Sequence, residues 1–220
     1  MASPSQTLSR EAFIVFNFDL RGAARLDWSA MEPDTADDAD LLRAHGAGDP
    51  HAFERLYDRY DRPCFQFIRR TLGSAHADAA EDLHQEAWLS VSRNAAAFDP
   101  RKASFAAWLF TIARNKVWDH FRKQKVAILV SGHEDMAMAV ADPGPTPLEQ
   151  VETRELALAL VGAVEALPLA QRETFVMFAH GGLTLEEIAQ ATDVGVETTK
   201  SRLRYARATL RQTLSGQAHG

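Results

Sequence analysis

The chain contains, at residues 184–203, the stretch TLEEIAQATDVGVETTKSRL. This stretch opens with a capping box, because the Thr184 hydroxyl can cap a helix and the Glu187 carboxylate can reach back to the capping residue. The pattern predicts a short helix over residues 185–192 and a tight turn at 193–195, where Asp, Val and Gly follow one another. A second helix follows the turn, so the stretch predicts a helix-turn-helix.

The second of these helices divides into three faces. An apolar face can pack on the rest of the fold, a basic face can meet phosphates, and a polar face near the helix start can reach base edges in a major groove. A DNA-recognition helix needs these three surfaces. The apolar face consists of Thr199, Leu203, Ala206 and Leu210. The basic face consists of Lys200, Arg204, Arg207 and Arg211. The polar face consists of Thr198, Ser201, Arg202 and Tyr205. The alternative is an ordinary bundle helix with a solvated basic face.

Length and composition indicate a soluble globular protein. The chain has 220 residues, of which 46% are hydrophobic and 25% charged, which suits one large or two small domains. The sequence has no apolar run near the roughly 18–20 residues of a membrane span and no signal-peptide pattern, so we expect a cytoplasmic protein without membrane insertion. A single cysteine, Cys64, excludes a disulfide framework within the chain and fits a reducing compartment.

The net charge of −6 argues against a uniformly basic nucleic-acid-binding surface, but it is a sum over opposed blocks. Residues 101–125 carry seven basic side chains against one acidic side chain, and residues 196–220 carry five against one. Residues 31–40 carry five acidic side chains and no basic one, and residues 126–155 carry six against one. Such segregation indicates a charged partner. It also predicts weak DNA binding by the free protein, since acidic blocks repel phosphates.

Periodicity predicts an all-α fold of two small helical domains joined by a flexible linker. We expect a poorly ordered extension over residues 1–37, with Met31 as an alternative start, and a first domain over 38–125. A linker is expected over 126–150, where the sequence is acidic and rich in Gly and Pro. The helix-turn-helix domain is expected over 151–216. No segment alternates long enough to build a sheet.

The first domain contains a short opening helix and three further helix patterns. Asp49 predicts the start of a long helix that Gly73 ends, and Cys64 lies on the apolar stripe of that helix, as an ordinary core residue would. A third helix is expected over about residues 80–91 and a fourth over about 104–123.

Two helix faces in this domain have the composition of binding surfaces. On the fourth helix an aromatic ring, an amide and basic groups share one side, which is the chemistry that unstacked bases require. That side comprises Trp108, Thr111, Asn115, Asp119 and Arg122, flanked by Arg101, Lys102, Lys123 and Lys125. A polar and acidic side of the third helix suits a protein partner and comprises Asp82, Gln85, Glu86 and Leu89. The alternatives are a core role for Trp108, a surface amide at Asn115 and a solvated face on the third helix.

The sequence has no Gly-rich phosphate loop, nucleophile elbow or zinc-binding motif, so we predict no enzymatic activity, no metal and no cofactor. Glu81 and His84 have the Glu-x-x-His spacing of helical di-iron proteins. Such sites need a second motif and further glutamates, and the sequence supplies neither: His51 and Glu54 have the reverse order.

Six stretches together resemble the extracytoplasmic-function (ECF) sigma factors of the sigma-70 family. Three are similar to region 2 of that family and three to region 4, in the family's order and spacing. The first three are residues 40–53, 80–89 (AEDLHQEAWL) and 105–115 (FAAWLFTIARN), and the others are residues 167–175, 182–189 and 198–203. The resemblance covers about residues 38–214.

The resemblance implies a sigma factor that binds core RNA polymerase and directs promoter recognition and melting. The residues implied in capture of the melted −10 strand by region 2 are Arg101, Lys102, Trp108, Arg114, Asn115, Asp119 and Arg122. Those implied in reading of the −35 element by region 4 are Thr198, Lys200, Ser201, Arg202, Arg204, Tyr205 and Arg207. Those implied in core polymerase binding are Asp82, Gln85, Glu86 and Leu89.

The resemblance also implies the partners: the β′ coiled-coil and β flap of core polymerase, promoter DNA and an anti-sigma factor. Three residues depart from those frequent in the family and bear on promoter preference, namely His84, Glu197 and Thr199. Two other classes of protein remain as alternatives. One is a stand-alone helix-turn-helix regulator that senses a ligand with its N-terminal domain, and the other is a helical enzyme or metal protein.

Overall fold

The computed structural model describes residues 36–131 and 158–217. Within these ranges the chain forms eight α-helices and no β-strand, so the predicted all-α fold is confirmed. The helices are α1 (Asp38–Gly46), α2 (Pro50–Leu72), α3 (Ala80–Arg93), α4 (Phe105–Ser131), α5 (158–165), α6 (Leu169–Ala179), α7 (Leu185–Thr192) and α8 (Val196–Gln217). Short 3-10 helices over Ser74–Ala79 and Ala95–Ala97 flank α3. Nearly all of the predicted extension and most of the predicted linker lie outside the described residues.

Local sequence signals determine where the first helices begin and end. Asp37 caps α1, and Asp49 caps α2 by accepting a hydrogen bond from the His51 N–H at 3.0 Å. Pro50 occupies the first turn of α2, where its missing N–H costs nothing. Gly73 ends α2 with φ 79°, a conformation that favours glycine. The predicted bounds of the long helix are therefore confirmed.

Helix α4 is longer than the sequence analysis predicted. Its expected end was near Lys123, and the linker was expected to begin at residue 126, whereas the helix continues to Ser131. The stretch VAILV at 126–130 contains neither Gly nor Pro, so no residue interrupts the helix before Gly132. The first residues of the predicted linker are therefore helical.

The core of the first unit lies between α2, α3 and α4. Phe67 and Ile68 of α2, Val91 of α3 and Leu109 of α4 are each 0% exposed. Cys64 is also 0% exposed, so its predicted place in the core is confirmed. Burial raises the pKa of the Cys64 thiol far above its usual range, which keeps the thiol protonated and unreactive.

The predicted capping box begins α7. The Thr184 hydroxyl accepts a hydrogen bond from the Glu187 N–H at 3.2 Å, and Glu187 Oε2 accepts one from the Thr184 N–H at 2.8 Å. Asp193 adopts a left-handed conformation, φ 55°, which ends α7 and turns the chain into α8. The predicted apolar face of α8 is buried at every position: Thr199, Leu203, Ala206 and Leu210. The helix-turn-helix is therefore confirmed.

The two helical units pack against each other, an arrangement that the sequence analysis did not predict. Helix α2 packs on α6 and helix α4 packs on α7, so apolar residues of both units join one core. Where the units approach closely, a β-carbon on Gly181 would lie 2.9 Å from Phe110 Cε1. Phe110 itself is 0% exposed. In the described ranges, none of the helices has both the length and the apolar character needed to cross a bilayer.

Replacing the cap of α7 tests the contribution of local sequence to this fold. Thr184→Ala removes the hydroxyl acceptor and leaves the Glu187 N–H without its cap, so we expect a loss of about 1 kcal/mol in the free energy of unfolding. Urea unfolding followed by circular dichroism measures this loss. Thr184→Ser keeps the hydroxyl and should stay near the wild-type value. Equal stability of all three proteins would contradict the role of the cap.

Candidate nucleic-acid and partner interfaces

The polar and basic faces of α8 present several of the predicted −35 residues to solvent. Thr198, Lys200, Arg204 and Tyr205 are exposed, and Tyr205 is 55% exposed. The guanidinium of Arg204 lies 5.0 Å from the Tyr205 ring centroid, which holds a charge and an aromatic ring side by side. A groove of about 370 Å³ runs beside them between α7 and α8. Its lining comprises Leu185, Lys200, Leu203, Arg204, Arg207, Ala208 and Arg211.

Arg202, another predicted −35 residue, points inward. Its Nη1 lies 3.9 Å from Oε1 of Glu173, a residue of α6 that is 1% exposed. Ser201 next to it is half-buried. The predicted reading face of α8 therefore divides into an exposed part and a part directed at Glu173.

Helix α4 presents Asn115 to solvent, as the −10 prediction requires. Trp108 on the same side is half-buried, and its ring packs on Phe98 and Phe105 at centroid distances of 5.2 and 6.2 Å. Part of the Trp108 ring therefore packs in the core, which is the alternative for this residue. The rest of the ring is accessible, which the −10 prediction requires. Further along this side, Asp119 and Arg122 form an ion pair with each other.

Arg114 does not share this exposed side of α4. Its Nε donates a hydrogen bond to Glu173 Oε2 at 3.1 Å, and Trp118 Nε1 donates to the same oxygen at 2.9 Å. The guanidinium of Arg114 also lies 5.5 Å from the Trp118 ring centroid. Arg114 and Asn115 therefore lie on different sides of α4, and Arg114 contacts the second helical unit.

The loop before α4 contains the predicted −10 residues Arg101 and Lys102. Both are exposed, and Arg101 forms a two-bond ion pair with Asp99 through Nε and Nη2, each at 3.0 Å. This pairing, rather than burial, lowers the pKa of the Asp99 carboxyl. The backbone carbonyl of Lys102 accepts a hydrogen bond at 2.8 Å from the side-chain amide of Gln190 on α7.

The predicted partner-binding residues share one exposed face of α3. Asp82, Gln85, Glu86 and Leu89 are all exposed, and Leu89 is 51% exposed. Glu86 reaches Lys116 Nζ of α4 at 3.2 Å. An apolar side chain among acidic ones on an exposed helix face suits a protein partner.

His84, the histidine of the Glu-x-x-His spacing, contacts other side chains of the same helical unit. Its Nε2 accepts a hydrogen bond from Trp88 Nε1 at 3.0 Å and lies 3.2 Å from Asp61 Oδ1. Burial lowers the pKa of His84, against an opposing effect of Asp61. In the part of the chain that the structure describes, no three His, Cys, Asp or Glu side chains converge as metal ligands would.

Two residues at the contact between the units were not found by sequence analysis. One is Glu173, whose neighbours lie far away in the chain. The other is His180, at the end of α6, which faces the positive charges of Arg70 and Arg62 on α2. Burial first, and these charges second, lower the pKa of His180 to about 3. Glu173 lies in the region 4 stretch 167–175, but no local pattern marks it or His180 as a contact between the units, so only the packing of the two units identifies that role.

Comparison with known proteins identifies both units. The family model of Sigma-70 region 2 matches residues 56–126, and that of Sigma-70, region 4 matches residues 157–210. The chain is 34% identical to the ECF RNA polymerase sigma factor SigM of Mycobacterium tuberculosis over 80% of its length and 84% of the relative. It is 33% identical to SigW of Bacillus subtilis over 76% and 91%.

Among solved structures, the sigma factor RpoE of Bartonella quintana, in complex with the anti-sigma factor NepR, aligns with a TM-score of 0.60 at 25% identity. The alignment covers 74% of this chain and 96% of that one. The fold and these matches define a two-domain transcription initiation factor. The chain belongs to the ECF sigma factors of the sigma-70 family.

Acid sensitivity tests the placement of His180. Its pKa in the folded protein, about 3, lies below the value of about 6.5 in an unfolded chain. Between these values only the unfolded chain gains the proton, so the free energy of unfolding falls as the pH decreases below about 6.5. We expect a loss of about 1 kcal/mol between pH 7.5 and 5.5 that His180→Gln lacks.

Urea unfolding of both proteins at the two pH values measures this difference. His51→Gln changes an exposed histidine of α2 and serves as the control for the loss of a histidine as such. If His180→Gln and the wild type lose equal stability on acidification, the assignment of a buried, neutral imidazole to His180 is wrong.

Proposed function

We propose that this sigma factor reads the −35 element with α8 and captures the melted −10 strand with α4 and the loop before it. The observation that carries the proposal is that the region 2 and region 4 family matches coincide with the two units that bear these surfaces. Each surface combines polar groups that can hydrogen-bond to bases with cations that can contact phosphates.

In region 4, the start of α8 enters the major groove. Thr198 and Tyr205 are exposed there and carry hydroxyl groups suited to base edges, while Lys200 and Arg204 suit the adjacent phosphates. Arg207 continues the basic side and lies over the Phe178 ring at 4.7 Å. Ser201 and Arg202 complete the set once Arg202 leaves Glu173.

In region 2, Asn115 holds an unstacked base through its amide. The partly exposed ring of Trp108 supports the separated strand, because a flat ring can take the place of a stacked base. Arg101, Lys102 and Arg122 neutralise the backbone phosphates. Asp119 pairs with Arg122 and orients it, and Arg114 joins this surface when it is released from Glu173.

Core RNA polymerase binds through the exposed face of α3, with Leu89 as the apolar contact and Asp82, Gln85 and Glu86 as the polar ones. We assign this face to the β′ coiled-coil and region 4 to the β flap. An anti-sigma factor is a further partner, supported by the complex of RpoE with NepR. The protein acts in the cytoplasm, where polymerase and chromosome meet, as an initiation factor without catalytic activity or a cofactor.

Transcription with purified components tests the proposal. Bacterial core polymerase with a library of genomic fragments should give discrete run-off transcripts only when this protein is present. The absence of any such transcript would refute the proposal. Tight operator binding without polymerase would instead support a stand-alone regulator.

Substitution of Asn115 separates promoter melting from polymerase binding. Asn115→Ala removes the amide that holds the base, so we expect about a tenfold loss of open complexes with unchanged affinity for core polymerase. Permanganate footprinting measures the open complex, and fluorescence anisotropy of labelled protein measures core binding.

Leu89→Ala is the reciprocal variant, because it removes the apolar contact of the α3 face. It should lower core affinity, and the open complexes should recover at high core concentration. If Asn115→Ala loses core affinity to the same extent as open complexes, the role assigned to Asn115 is wrong.

A further inference from the structure

Four side chains form a polar cluster between α2 and α3, behind the face of α3 that we assign to core polymerase. His84 of α3 is 7% exposed, and Trp88, one turn further on, is 4% exposed. Nε2 of His84 accepts a hydrogen bond from Trp88 Nε1 at 3.0 Å and lies 3.2 Å from Oδ1 of Asp61 on α2. Asp61 in turn accepts a hydrogen bond from the Tyr57 hydroxyl. We call these four residues the His84 cluster.

The two contacts of His84 Nε2 require opposite protonation states of that nitrogen. Without a proton, Nε2 accepts the Trp88 N–H, but its lone pair then faces the Asp61 carboxylate. With a proton, Nε2 donates to Asp61, but the Trp88 N–H then faces a second N–H. In the neutral ring held by Trp88 the proton is on Nδ1, so the proton gained on acidification goes to Nε2. Protonation therefore exchanges Trp88 for Asp61 as the hydrogen-bond partner.

His84 is the group of the cluster that gains a proton when the pH decreases from neutral. Burial lowers the pKa of His84 from 6.5, while the charge of Asp61 and a hydrogen bond to the Asp61 backbone oppose this effect. The other groups that α2 brings to the cluster are Cys64 and, beside Tyr57, the carboxylate of Asp58. Burial raises the pKa of Tyr57 to about 12 and that of Cys64 further, so both stay protonated.

Aromatic packing connects the cluster to the protein surface. The Tyr57 ring is 38% exposed and packs on the Trp88 ring at a centroid distance of 4.9 Å. Trp88 directly precedes Leu89, the exposed apolar residue of the α3 face. A movement of the Trp88 ring away from His84 therefore changes the packing of α2 on α3 and the position of Leu89.

Three effects of protonation act in the same direction on the α3 face. The Trp88 N–H loses its acceptor where little water can replace it, which costs free energy. A positive charge appears behind a face that carries Asp82 and Glu86, and the pairing of His84 with Asp61 offsets a negative charge nearby. An acidic face suits a basic partner, so each of these changes weakens the binding of that partner.

We propose that the His84 cluster is a proton-sensitive switch that makes core polymerase binding depend on pH. Neutral His84 holds Trp88 and keeps α3 in its binding form, whereas protonated His84 pairs with Asp61 and weakens binding. The proposal rests on the core-binding role assigned to α3 above. Because the linkage is reciprocal, core polymerase in turn disfavours protonation of His84. The family resemblance does not imply this role, since His84 departs from the residues frequent at its position.

The affinity for core polymerase at pH 7.5 and 5.5 tests the switch, with fluorescence anisotropy of the labelled protein as the measurement. His84→Gln is the comparison, because its amide accepts from Trp88 and donates to Asp61 without titrating. Any titration of the polymerase itself affects both proteins equally. On acidification the wild type should lose at least about threefold more affinity than His84→Gln, within the limit of about tenfold per pH unit for one proton.

Two further variants make the test specific to the cluster. His51→Gln removes an exposed histidine of α2 outside the cluster, so it should lose affinity as the wild type does. Asp61→Asn removes the charge that raises the pKa of His84, so the loss of affinity should move to lower pH. Circular dichroism at pH 5.5 checks that all proteins keep their helical content. Equal losses for the wild type and His84→Gln would overturn the switch.

The indole N–H of Trp88 reports the state of the cluster without polymerase. Its ¹⁵N NMR resonance, assigned with Trp88→Phe, should follow a single titration with a midpoint below pH 6.5 and stay in place in His84→Gln. An indole resonance of the wild type that does not titrate would overturn the switch. A titrating indole in a protein that binds core polymerase at neither pH would instead overturn the proposed function, and with it the effect of the switch on core binding.

Discussion

The buried carboxylate of Glu173 lies where the two halves of the molecule meet and needs contacts from both of them. An ionised carboxylate leaves water only if hydrogen bonds and opposite charge replace its hydration. Here the replacement comes from α4 of one unit and α8 of the other. The apolar packing around Phe110 and Gly181 brings the units together, but many apolar surfaces can pack. In the orientation seen here, α4 and α8 together satisfy the carboxylate of Glu173.

Local signals in the sequence were sufficient for the helices and for the division into two units. Asp49, Gly73 and the Thr184–Glu187 pair determine helix ends through contacts within a few residues, so their effect is visible in the sequence. The apolar face of α8 was likewise predicted in full. The end of α4 was misplaced because an apolar stretch without a breaker extends a helix beyond the last charged residue.

The surroundings of the candidate site residues were predicted less completely, for a physical reason. Helical spacing assigns residues to a face, which is why the exposed set on α3 and Asn115 on α4 agree with their predicted accessibility. The same helical spacing does not show which residues of other helices pack on that face. Arg114 and Arg202 have the sequence context of DNA contacts, yet both turn to a carboxylate that lies 59 residues from Arg114 in the chain. Periodicity carries no information about such a pairing.

Glu187 takes part in two contacts that lie on opposite sides of its carboxylate. Its Oε2 caps α7, while its Oε1 accepts the hydroxyl of Ser104 across the interface. Because both bonds use one carboxylate, contact with region 2 and order at the start of α7 favour each other, and this linkage is reciprocal. A change that breaks the Ser104 contact would therefore loosen the first turn of the helix-turn-helix. The amide protons of that turn would then exchange faster with solvent.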